Sequence, residues 1–164
     1  MNTINLRQHD ELSTVFTAVA ATEPRRHANG VGSPVELRSD TGLRIFAPIL
    51  GPSSVLLARL LIDESGRRWH IADIAGQLGL ATAYTQRCIS RLARFGFLDG
   101  YEQDAEVTYE IVVAADVKMS QLDRLHPELA ALYARHSGLI GIRRTKDGLE
   151  GGFDKRREGV ALGD

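Results

Sequence analysis

The chain has 164 residues, 43% of them hydrophobic and 25% charged, the composition of one globular domain with terminal additions. A formal net charge of -1 excludes a uniformly basic nucleic-acid coat, so any nucleic-acid surface must be a local patch. A single cysteine, Cys88, excludes an internal disulfide and a cysteine-rich structural metal site.

The N-terminus shows no apolar run behind a basic start, and the longest apolar stretch, residues 55–62, is interrupted by Arg59. It falls far short of the roughly 20 residues that span a bilayer. The expectation is a cytoplasmic protein with no membrane partner. In residues 11–21, Leu12, Val15, Phe16 and Val19 fall at i, i+3, i+4 and i+7, which predicts a helix. Asp10 would cap it, unless His9 or Ser13 shifts the start. The following ATEPRRHANGVGSP has no period and predicts a loop. Residues 35–47 predict a short hairpin, VELRS and LRIFA flanking the turn Asp40-Thr41-Gly42. The alternative is an extended segment docked on a helix.

Gly51-Pro52-Ser53-Ser54 ends one element and begins another. Ser53 or Ser54 would cap a helix running to about Glu64, with Val55, Leu56, Leu60 and Leu61 as its apolar face. Residues 67–71, RRWHI, suit a brief strand into which Trp69 packs. A helix follows with Ile71, Ile74, Ala75 and Leu78 on one face, then Gly79 as a turn. The next helix buries Thr85, Cys88, Ile89, Leu92 and Phe95 and closes at Gly96. Residues 97–101 pair with the alternating 107–112 across 102–106, a second hairpin.

Residues 116–125 and 128–136 read as helical, with Leu122, Leu125, Leu129 and Leu132 on one seam and Pro127 kinking the run or opening a fresh helix. The seam either folds onto the core or pairs with a second copy. From residue 137 to 164 the chain is glycine-rich and charge-mixed, which predicts a flexible tail.

Helix, short strand, helix, turn, helix, hairpin, carried by IADIAGQLGL and TAYTQRCISRLARFGFL within residues 53–112, resembles the winged helix-turn-helix superfamily of bacterial transcription regulators, the layout of MarR-like and ArsR-like proteins. The expected fold is α+β, mainly α. It comprises an N-terminal extension (1–50), a winged helix-turn-helix domain (51–113), a C-terminal helical segment (114–136) and the tail (137–164). The resemblance makes residues 82–95 the recognition helix, with Thr82, Ala83, Tyr84, Gln86 and Arg87 toward the major groove. Arginine can bond guanine bidentately, glutamine adenine, and small methyls can touch thymine. Ser90, Arg91 and Arg94 follow on the solvent side, the arginines suited to phosphate.

Charge is divided. Residues 51–98 hold Arg59, Arg67, Arg68, Arg87, Arg91 and Arg94 against Asp63, Glu64 and Asp73, a local +3. Residues 99–112 hold Asp99, Glu102, Asp104, Glu106 and Glu110 with no base, a local -5 that departs from the basic tip of many DNA-binding wings. Two readings follow. One is a sequence-specific transcriptional regulator of double-stranded DNA, homodimeric through its C-terminal helices. The alternative is a protein-interaction or replication/partition accessory module with little intrinsic DNA specificity, its partner meeting the acidic wing. Neither needs a cofactor. Cys88 reads as a packed core thiol, His70, His126 and His136 lack metal-ligand spacing, and no nucleophile elbow, Walker loop or dinucleotide fingerprint appears, so no enzyme or metal site is expected.

Overall fold

The computed structural model describes residues 1–7, 12–145 and 148–153, with side chains described as far as residue 139. Helix and strand are roughly balanced, so the class is α+β without the helical excess expected. In chain order the elements are β1 (Asn2–Ile4), β2 (Val15–Ala20), β3 (Gly30–Glu36), α1 (Asp40–Leu50), α2 (Pro52–Asp63) and β4 (Arg68–His70). Next come α3 (Ile71–Leu78), α4 (Thr82–Arg94), β5 (Leu98–Gln103), β6 (Glu106–Ile111) and β7 (Ala114–Lys118). The chain continues through α5 (Met119–Leu122), α6 (Pro127–Ser137), β8 (Leu139–Thr145) and β9 (Gly148–Phe153). One hydrophobic cluster runs from Leu6 to Leu139, so the N-terminal third belongs to the same core as the helix pair.

The middle of the chain follows its local signals. Val55, Leu57, Ala58, Leu61 and Ile62 bury one side of α2, while Leu56, expected on that side, is 50% exposed. No serine caps α2; Gly51 occupies the N-cap and Pro52 opens the first turn, where a missing N–H costs nothing. α3 ends at Gly79, in the left-handed region at φ 66°, with Leu80 N donating to Ala75 O (2.8 Å) and Gly79 N to Gly76 O (3.3 Å). α4 ends the same way, Phe97 N donating to Leu92 O (2.8 Å) and Gly96 N to Ala93 O (3.1 Å). Both are Schellman closures, which satisfy the last carbonyls and turn the chain sharply.

Residues 12–20 form no helix. Val15–Ala20 is a strand, with Phe16 and Ala18 buried between half-buried Val15, Thr17 and Val19. Thr14, Val15, Thr17 and Val19 are β-branched and suit a pleated surface, and Phe16 stacks on Tyr109 with ring centroids 4.1 Å apart. The expected caps Asp10 and His9 lie outside the described residues.

β2 occupies a decisive place. The five-stranded sheet has the order β1-β5-β6-β2-β4, with β2 parallel to β6 (Thr17 opposite Thr108) and antiparallel to β4 (Phe16 opposite Trp69). β1 pairs with the other side of β5, Asn2 opposite Glu102. The hairpin β5–β6 is therefore an internal pair of a larger sheet.

The hairpin expected over 35–47 is also replaced. Val35 and Glu36 end β3, and Ser39 Oγ accepts from Gly42 N (2.9 Å), capping α1. Gly42, Ile45, Phe46, Ile49 and Leu50 then form one buried helical face. Gly42 is required by close approach, since a Cβ there would lie 1.9 Å from Glu36 O. Pro48, which argues against a helix interior, sits exposed in the last turn. The expected loop is shortened because β3 begins at Gly30 and pairs with β7, a register shift between Val31 and Val35 accommodating Pro34.

At the C-terminal end, residues 114–118 are strand rather than helix, because Ala115 and Val117 bury against β3 and Asp116 has a buried partner. α6 begins with Pro127 at its first position and buries Ala130, Tyr133, Ala134 and Ser137. Leu122 and Leu125 are buried and Leu129 and Leu132 half-buried against the core, so the leucine seam folds back onto its own chain. Within the expected tail, β8 and β9 form an antiparallel hairpin, Leu139 opposite Phe153 and Thr145 opposite Gly148. Its ladder of local backbone bonds needs no side-chain pattern for sequence to display. Residues 154–164 lie outside the described residues.

Candidate nucleic-acid interface

α4 is gripped on its inner side by α2, α3 and β5. Its inner surface is apolar at Cys88, Ile89, Leu92 and Ala93, and its other side carries the arginines. Thr82, Ala83, Tyr84, Arg87, Arg91 and Arg94 are exposed and Gln86 is half-buried. Ser90 is corrected: it is fully buried, because the helix is packed over a wider arc than a single seam, and it cannot reach a groove. The structure thus brings seven of the eight expected residues to an accessible surface, with Thr82, Ala83 and Tyr84 in the first turn and the arginines at successive turns below.

Among the described residues the ion pairs are Arg25–Asp99, Arg38–Asp63, Arg67–Glu64 and His27–Asp116. None uses Arg87, Arg91 or Arg94. Arg67 does not extend the patch, because it pairs with Glu64 and lies 3.9 Å over the ring of buried Trp69. Arg87 sits 5.6 Å from the ring centroid of Tyr84, one turn earlier. Arg91 is held differently: its Nη2 donates to Ile49 O (3.2 Å) at the end of α1, and its guanidinium is 5.6 Å from the Phe95 ring. A carbonyl at a helix C-terminus suits a cation.

These arginines line a cleft of about 250 Å³ between α4 and the α1–α2 junction. Leu50, Gly51 and Ser54 form its opposite wall, and Tyr84 and Cys88 complete it. Burial pushes the Cys88 thiol up, against the Ser54 hydrogen bond and the Arg91 and Arg87 charges that favour thiolate. The sulfur is therefore a packed, protonated wall of the cleft at neutral pH.

The hairpin beside α4 has the opposite charge. Asp104 (φ 52°) and Ala105 (φ 64°) make a two-residue turn with both central residues left-handed, as a tight hairpin demands. Glu102, Asp104 and Glu106 are exposed there, and Asp99 is paired with Arg25. Strand pairing by β1 reaches Glu102, two residues short of the turn.

Sequence reading missed the far wall of the cleft and the Arg91–Ile49 tether, and only the helix start Gly51-Pro52-Ser53-Ser54 hinted at either. The histidines are dispersed: His126 Nδ1 accepts from Glu128 N (3.4 Å) at the start of α6, His136 Nε2 lies 3.3 Å from Thr41 Oγ1, and His70 precedes α3. Among the described residues no three His, Cys, Asp or Glu side chains gather as a metal site, and no helix is long and apolar enough to cross a membrane. The chain matches no family model, no curated protein and no solved structure.

Proposed function

We propose that the chain is a sequence-specific DNA-binding transcriptional regulator of winged helix-turn-helix type, with α4 as its reading helix. The observation that carries this is the outer face of α4, where Arg87, Arg91 and Arg94 stand exposed with no acidic partner among the described residues, below an exposed Thr82-Ala83-Tyr84 tip. Arginines without an acidic partner, on a helix anchored from behind, are what base and phosphate contacts need. In this reading the order α2, β4, α3, α4, β5, β6 is the winged unit, with β2 inserted between the strands that flank it.

A two-fold dimer would present two copies of α4 to half-sites a whole number of helical turns apart. With Leu122 and Leu125 spent inside the chain, its contact would draw on the half-buried Leu129 and Leu132.

A second reading rests on the hairpin. Its acidic tip is repelled by phosphate, and β1 and β2 flank its strands as far as Glu102 and Thr108, so only the acidic tip between them projects beyond the sheet. That favours a protein partner with a basic surface, and an interaction or replication/partition accessory role. The experiment is selection from a genomic fragment pool at two salt concentrations, with wild type and Arg87→Ala. The regulator reading expects enriched sequences, affinity that weakens with salt, and about 1–3 kcal/mol lost at one base position in Arg87→Ala. Failure to enrich any sequence at low salt sinks it.

A further inference from the structure

We infer that the cleft between α4 and the start of α2 is a phosphate-binding site, occupied in the DNA-bound protein by one backbone phosphate. The inference rests on the proposed DNA reading for the source of the phosphate, but the site stands on its own geometry. Three arginines open onto one concavity, and among the described residues none has an ion-pair partner. Arg91 is already fixed by its bond to Ile49 O, so it offers its remaining donors with little further loss of freedom.

The wall facing them is of the same polarity. Gly51 and Ser54 line the cleft where α2 begins, and no side chain caps that twelve-residue helix. Pro52 has no N–H and Val55 N is bonded to Gly51 O (3.1 Å), which leaves the Ser53 and Ser54 amides as the first-turn donors without a helical acceptor; of the two residues Ser54 lines the cleft and Ser53 does not. The arginines therefore face the residues that open α2, Gly51 and Ser54, and the positive end of that helix favours an anion in the same space. Its volume of about 250 Å³ leaves room for a phosphate group entering from outside.

The site also divides labour along α4. A phosphate seated against Arg91 and Arg94 would fix the height of the helix over the groove, leaving Thr82, Ala83 and Gln86, which do not line the cleft, and Arg87 at its rim for base edges.

Two titrations of the full chain test this. Sodium phosphate, against sodium chloride of matched ionic strength, should shift the amide resonances of Gly51 and Ser54, which line the cleft, saturably, with the response weakened several-fold in Arg94→Gln. Arg94 is the cleaner variant, since its guanidinium has no hydrogen-bond or ion-pair partner among the described residues, whereas Arg91→Gln also loses the Ile49 contact. Duplex binding should then lose affinity equally on selected and random sequences in either variant, its salt slope falling by ~0.9 for the phosphate contact removed. Unmoved amides together with an unchanged salt slope would overturn the site while leaving α4 as a reader. Amides that shift with phosphate while no duplex binds at low salt would instead overturn the DNA reading and the backbone source, leaving a site for free phosphate.

Discussion

His27 Nδ1 lies 2.8 Å from Asp116 Oδ1, with both side chains almost wholly out of solvent. The same carboxylate oxygen accepts from His27 N (2.9 Å), and the far ring nitrogen, Nε2, is 3.1 Å from Phe95 O. One residue of the loop between β2 and β3 thereby joins β7 to the carbonyl end of α4. Removing the carboxylate leaves the buried His27 ring and backbone N–H without their shared acceptor, which costs about 1–3 kcal/mol. Asp116→Ala should lose stability on that scale in urea denaturation, and Asp116→Asn, which retains an acceptor, should lose less. A loss below about 1 kcal/mol in Asp116→Ala would show the contact to be peripheral.

Gly30 should fail for a related reason. A Cβ there would lie 2.1 Å from Asp116 Oδ2, so Gly30→Ala must displace the carboxylate from His27. It should destabilise in the same assay, and combined with Asp116→Ala it should add little, because the obstructing group is gone. Full additivity would show that the two sites are independent.

Two buried tyrosines set an alkaline limit. Burial pushes Tyr109 up to about 12, opposed by the Ser13 N–H on its oxygen. Burial likewise pushes Tyr133 up to about 12, with the Val117 N–H opposing and the Asp116 charge adding. The unfolded chain releases these protons near their ordinary value of 10, the folded chain only near 12. Stability is therefore fully present below pH 10 and is lost as pH rises toward 12. The urea midpoint should fall through this window, less steeply in Tyr109→Phe, and a flat midpoint would contradict the burial of both rings.

The turn between α3 and α4 admits a clean backbone test. Gly79 sits at φ 66° and a Cβ there meets nothing within 4 Å. Gly79→Ala should cost only the left-handed penalty of about 1–2 kcal/mol and leave the fold intact. Circular dichroism and thermal unfolding would check it; a larger loss would mean that the turn has contacts beyond those described.

The acidic hairpin separates the two functional readings. Glu102→Gln with Glu106→Gln removes two exposed charges, and the turn residues Asp104 and Ala105 stay in place. If α4 docks on DNA with the hairpin alongside, duplex affinity should rise at low salt, because repulsion of phosphate is relieved. If the tip holds a basic protein partner, duplex affinity should not move and partner binding should weaken.

From residue 51 to residue 112 the elements were legible because their signals are local. Gly-Pro at a helix start, a four-position apolar face, glycines at two Schellman closures and a period-two strand each operate within a few residues. The identity of seven outward residues on α4 came with that pattern; Ser90 did not, since the packed arc of a helix depends on how many neighbours surround it.

The N-terminal third was different. Leu12, Val15, Phe16 and Val19 fit a helical face as well as Phe16 and Ala18 fit a strand, and β-branching alone could not arbitrate. The slot between β4 and β6 did: Phe16 pairs opposite Trp69 and Thr17 opposite Thr108, partners remote in sequence. Likewise Asp40-Thr41-Gly42 reads as a turn until Glu36 O comes close enough to require glycine in a helix. By itself the sequence determined a helix pair with an arginine-bearing outer face, because that information is written at helical spacing. Only the tertiary structure decided that the hairpin is flanked on both sides and that the arginines face the start of α2, because strand order and cleft walls are set by long-range pairing that no local period encodes.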